Sequence, residues 1–156
     1  MLLSRSLTDR LRTQHEAIEI LIEQTDKDRL LLYPAPGKWS IKDNIAHLAK
    51  YQPVFINRIH KILLSNEPVF ESYRAENDPE FAVWQGRDLQ ILLDTLYADR
   101  EQINKLIADL SYTQLDMVGV HKKFGRLTIG QWTEFFLLHE AHHMFTIFQL
   151  SNNTEL

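Results

Sequence analysis

The sequence predicts an all-α protein, a four-helix bundle with a long crossover between helices two and three. Three observations carry this. Apolar residues recur at the spacing of a helix face rather than alternating; only five glycines interrupt 156 residues; and the periodic stretches fall into four blocks of about 22 residues, about 33 Å of helix each. Matched lengths of this kind suit a bundle. A chain of this size forms one domain, 1–156, with a core that needs no cross-links.

Helix one is expected from Leu3 to about Asp26, where Leu7, Leu11, Ile18, Leu21 and Ile22 fall near one stripe. The stretch "YPAPGKWS" ends it, since two prolines and a glycine cannot continue a helix. Ser40 then stands as an N-cap with Asp43 three residues on, so helix two runs from Ile41 to about Leu64. Pro53 inside it removes the hydrogen bond to the Ala49 carbonyl and should bend the helix there. Residues 65–86, mixed and aromatic, form the crossover. Helix three covers about Arg87 to Leu110. A loop with Gly119 and Gly125 leads to Thr128 as N-cap and to helix four, about Ile129 to Leu150. No segment has the pattern of a sheet, and the closing "SNNTEL" is expected to fray.

The composition, 44% apolar and 24% charged, is that of a globular protein. A net charge of −4 leaves no basic footprint for nucleic acid and no polybasic membrane patch. With no cysteine there is neither a disulfide nor a thiolate metal ligand. The first residues lack the apolar stretch of a signal peptide, and no apolar run is long enough to span a bilayer. The expectation is a cytoplasmic protein.

The chemistry is concentrated in "FFLLHEAHHMFTIFQL". At 100° per residue from Ile129, Trp132 lies at about 300° and Phe136 at about 340°, with His139 at about 280° and His143 at about 320°. The two histidines therefore share the inward aromatic stripe one turn apart, the spacing at which two imidazoles bind one ion. His142, at about 220°, lies on its shoulder. Two ligands make a weak site, and a third is sought on a facing helix. His47 in "NIAHL" and His15 on helix one compete for that place, while His60 and His121 look like surface or loop residues.

His139-Glu140-Ala141-His142-His143 also satisfies H-E-x-x-H, the zinc-protease pattern. Such a protease needs a third ligand downstream, yet Thr146 and Gln149 occupy the places of the glycine and third histidine of the extended motif. Glu155, in the tail, is the sole carboxylate after His143. A protease also needs an edge strand to align its peptide. The protease reading is therefore set aside, which leaves a metal site of another kind or a pair of histidines hydrogen-bonded in the helical core, with Glu140 a helix residue partnering a ligand or another helix.

Taken together, "PGKWSIKDNIAHL", "FAVW" and "HKKFGRLTIGQWTEFFLLHEAHHMFTIFQL" resemble the DinB-like superfamily of metal-binding four-helix bundles, over nearly the whole chain. The resemblance implies that His47, His139 and His143 are the metal ligands, and that His142 is the extra histidine before the last ligand. It implies a divalent ion, zinc or nickel first and iron or manganese next, with an open coordination position. It also implies an enzyme such as a small-thiol S-transferase, with a low-molecular-weight thiol as co-substrate, or a hydrolase. The alternative is a non-catalytic metal-stabilised binding or stress-response module. Trp39 and Trp132 are expected to wall the pocket, with Asn44 and Tyr51 as polar contacts beside His47. No general acid or base is evident. Leu137, Leu138, Phe145 and Phe148 lie off the inward face of helix four, so the crossover or a second copy of the chain, in a homodimer, should cover them.

Overall fold

The computed structural model describes residues 3–152. Its helices are α1 (Arg5–Thr13), α2 (Ala17–Ile22), α3 (Lys27–Leu31), α4 (Ile41–Leu64), α5 (Phe81–Gln85), α6 (Leu89–Ala108), α7 (Tyr112–Leu115) and α8 (Ile129–Asn152). The four bundle members are the α1–α2 run, α4, α6 and α8. Three short strands, β1 (Val69–Phe70), β2 (Val118–His121) and β3 (Gly125–Thr128), form a small sheet in the order β1-β2-β3.

The caps explain where the long helices start. Ser40 and Asp43 form a reciprocal capping box at the head of α4. Thr128 does the same for α8: its hydroxyl accepts from the Gln131 N–H at 3.2 Å, and its own N–H donates to the Gln131 side chain at 2.9 Å. α4 has the expected limits and runs on through Pro53 as one helix. Helix one does not run unbroken to Asp26. A 3-10 turn at Gln14–Glu16 separates α1 from α2, where Gln14 and His15 turn inward to reach buried partners.

The sheet corrects the expectation of a plain loop before helix four. β2 pairs antiparallel with β3 and parallel with β1 of the crossover. Its inward positions are Gly119 and His121, whereas Val118 and Val120 are only partly buried. Alternation of apolar residues is therefore absent from the strand's buried face. Gly119 is required by packing: a Cβ there would lie 2.8 Å from the Ile62 side chain and 2.9 Å from Phe70. Gly125 turns the hairpin at φ +78°. His121 is buried rather than on the surface, and its Nδ1 accepts from the N–H groups of Lys123 (3.1 Å) and Phe124 (3.3 Å) within that hairpin. The expected frayed tail falls mostly outside the described residues; Ser151 and Asn152 still belong to α8.

The core divides in two along the bundle. One apolar cluster gathers Leu7, Leu11, Phe55, Ile103, Trp132 and Phe136; the other gathers Ile18, Ile45, Leu48, Leu92, Leu96 and Ile147. Each such side chain contributes about 1.5–3 kcal/mol on burial. Between the clusters, every bundle member carries polar residues: Gln14 and His15, then His47 and Gln52, then Arg100, then His139, Glu140 and His143. Arg100 is fully buried and paired with the buried Glu140. Its remaining donors reach Gln52 Oε1 and the Leu11 carbonyl, both at 3.2 Å, and His15 Nδ1 at 3.4 Å. Gln14 donates to Glu140 Oε1 at 3.0 Å. Leu137 is buried in the interior rather than off the inward face, while Leu138, Phe145 and Phe148 stay exposed on α8.

Removing one partner of a buried ion pair strands the other charge. Glu140→Leu is expected to lower the unfolding free energy by about 3–5 kcal/mol. The double variant Arg100→Met/Glu140→Leu should recover most of that loss in urea denaturation. Equal instability of the two would show that the pair itself is not the source.

Candidate metal centre

The site lies on one side of this polar band, where α4 and α8 face each other. His47 comes from the second turn of α4; His139 and His143 come from successive turns of α8. One ring nitrogen from each lies within 4.8 Å of the others. His47 Nε2 and His139 Nε2 approach to 3.0 Å. Two nitrogens bound about 2.1 Å from one ion lie about 3.0–3.4 Å apart, so the pair already stands at a shared-ligand distance.

The tautomer of His143 follows from its neighbour. Its Nδ1 lies 2.8 Å from Asn44 Oδ1 and donates to it, which leaves Nε2 with a free lone pair. Asn44 is itself held, because its side-chain amide donates to the Ser40 carbonyl at 2.8 Å. The capping box that starts α4 thus orients a histidine of α8. The Nδ1 atoms of His47 and His139 are buried with no partner among the described residues, so each ring's other nitrogen carries its polar function.

Burial, more than any other cause, pushes the three imidazoles to low pKa: His47 to about 2, His139 to about 3 and His143 to about 4. Their mutual crowding adds to this for His47 and His139, as does the nearby His142 for His139 and His143. At neutral pH all three rings are uncharged, the state in which imidazole ligates a metal. Three neutral nitrogen donors on rigid helices fit a divalent ion.

Aromatic rings fix the donors in place. Trp39 packs on His47 and His143, with centroids at 4.9 and 5.9 Å; Tyr73 stacks on His47 at 5.6 Å; and Tyr51 lies 4.2 Å from His139. Trp132 is not part of this wall. It lies seven residues before His139, about two turns along α8, where its Nε1 donates to the Gly119 carbonyl at 3.3 Å. His15 does not join the cluster either. It faces Arg100 across the polar band, and burial, followed by that guanidinium, lowers its pKa to about 4. His142 is exposed beside His143, with ring centroids 5.3 Å apart. His60 is exposed as expected.

The histidines open onto a pocket of about 460 Å³, lined also by Lys38, Trp39, Tyr73, Arg74, Glu76 and Thr146. Tyr73, Arg74 and Glu76 belong to the crossover. Nothing in that irregular segment marked them as pocket residues, because no periodicity links it to α4 or α8.

A family model described as the DinB superfamily matches residues 10–147. The chain belongs to the DinB superfamily. Among solved structures it is similar to YfiT from Bacillus subtilis (TM-score 0.79, 18% identity, covering 96% of this chain and 89% of that one), described as a probable metal-dependent hydrolase with an unusual four-helix bundle topology. It is also similar to YjoA, a DinB-like protein from Bacillus subtilis (TM-score 0.61, 19% identity, covering 97% and 96%). At these identities the likeness shows the fold. No curated protein sequence matches the chain.

Because Asn44 sets the His143 tautomer, Asn44→Ala should weaken divalent-ion binding about 10–100-fold. Competition against a chromophoric chelator measures this. Unchanged affinity would remove Asn44 from the site's design.

Proposed function

We propose that this DinB-superfamily protein holds one divalent ion on His47, His139 and His143. It uses the ion to activate a small nucleophile, a low-molecular-weight thiol or water, against an electrophilic substrate. The observation that carries this reading is the convergence of three neutral imidazoles at the floor of a pocket open to solvent. A divalent ion supplies Lewis acidity and makes a thiol or water acidic enough to react at neutral pH. The description of YfiT as a probable metal-dependent hydrolase supports the same class of chemistry.

The chain's own part is to position and to move a proton. Asn44 and the aromatic wall of Trp39, Tyr51 and Tyr73 hold the donor rings. Glu76 is the one carboxylate among the pocket-lining residues. Its side chain is the acceptor for the proton that the nucleophile gives up. The pocket volume suits a small-molecule substrate.

Purified protein should carry close to one divalent ion per chain by elemental analysis, and His139→Ala or His143→Ala should carry none. With metal restored, a panel of small thiols and an activated electrophile, and a parallel panel of activated esters, should reveal turnover that chelation abolishes. Glu76→Gln should lower kcat about 100-fold or more with metal content unchanged. Full metal occupancy in either histidine variant would sink the site. Metal bound without turnover in both panels would favour the non-catalytic binding module.

The homodimer is likewise a proposal. Leu138, Phe145 and Phe148, 57%, 60% and 48% exposed, make the face of α8 that a second copy would bury. Light scattering is expected to give twice the 18.4 kDa chain mass; a monomer at micromolar concentration would discard it.

A further inference from the structure

The chain has nine arginines. Eight of them are each held by a carboxylate, a carbonyl oxygen or an aromatic ring. Arg74 is the exception among the described residues, and its exposed side chain lines the pocket over the three histidines. Its backbone is nonetheless tightly placed. Tyr73 before it stacks on His47, and Ala75 after it is buried in the core. The guanidinium is thus tethered within one residue of a ring that faces the candidate ion.

Lys38 repeats this arrangement from the segment before α4. It lines the same pocket with no side-chain partner among the described residues, and its neighbour Trp39 packs on both His47 and His143. Two separate connections therefore each present one unpaired cation next to an aromatic that grips the histidine cluster. Against these two cations the pocket sets one carboxylate, Glu76, so one net positive charge remains besides that of any bound ion.

We propose that Lys38 and Arg74 form an anion clamp, and that the substrate or co-substrate of this site carries a carboxylate in addition to its reacting group. A guanidinium fork matches a carboxylate in two parallel hydrogen bonds. The single excess positive charge suits a singly charged group, since a phosphate dianion would also face Glu76. The inference rests on the metal-dependent reading of the pocket and adds to it the chemical class of the ligand.

The test uses cobalt-loaded full-length protein and two thiols, β-mercaptopropionate and the neutral β-mercaptoethanol. The visible cobalt spectrum reports contact with the ion, and calorimetry reports affinity. β-Mercaptopropionate should bind wild type about tenfold or more tightly than β-mercaptoethanol. Arg74→Gln should remove that advantage and leave β-mercaptoethanol unaffected, with Arg74→Lys restoring part of it. Arg74 is exposed, so these variants should unfold at the wild-type temperature. Equal affinity of the two thiols for wild type, or equal weakening of both by Arg74→Gln, would overturn the clamp. Failure of the metal reading looks different: the cobalt spectrum would respond to neither thiol, while calorimetry would still show whether Arg74 selects the carboxylate.

Discussion

The Arg100–Glu140 ion pair is the constraint on which the rest of the bundle depends. Both groups are out of water, so the pair persists only because its other hydrogen-bonding positions are filled: Gln52 and the Leu11 carbonyl on one side, Gln14 on the other. Those partners come from α1, α4 and the turn after α1, and the pair itself spans α6 and α8. One polar knot therefore fixes the rotation and axial register of all four bundle members. Apolar packing alone tolerates small slips of one helix past another; a buried charge network in which every guanidinium nitrogen has a partner does not.

The register matters because Glu140 directly follows His139. A shift of one residue would turn the α8 histidines about 100° away from His47. The knot and the histidine cluster are two halves of one polar band between the two apolar clusters, and the first half aligns the second. This gives the glutamate of the H-E-x-x-H pattern a role unlike that in a protease: it faces Arg100 and Gln14, not a bound nucleophile.

Much of this could be read from the sequence, and the parts that could not share a physical cause. α4 and α8 announce themselves through helical periodicity and their capping residues, and the inward stripe of α8 is enough to pair His139 with His143. The family resemblance selects His47 over His15, a choice that periodicity leaves open because both lie near an apolar stripe. β2 escapes because glycine and histidine fill its buried face. Trp132 shares the inward stripe with the histidines, and only axial distance separates its environment from theirs. The 3-10 turn at Gln14–Glu16 answers to partners 85 to 126 residues away. Tyr73, Arg74 and Glu76 sit on a segment whose course is set by what it packs against.

The division between helices and connections has a consequence for how the protein can diverge. The histidines and their supports Asn44 and Tyr51 stand on α4 and α8, locked by the polar band. Most of the pocket rim, Lys38, Trp39, Tyr73, Arg74 and Glu76, comes instead from the two connections flanking α4. Substitutions in those connections can change what the pocket accepts without disturbing the donor atoms beneath it. In a lineage with this architecture the rim can vary while the histidine cluster stays constant.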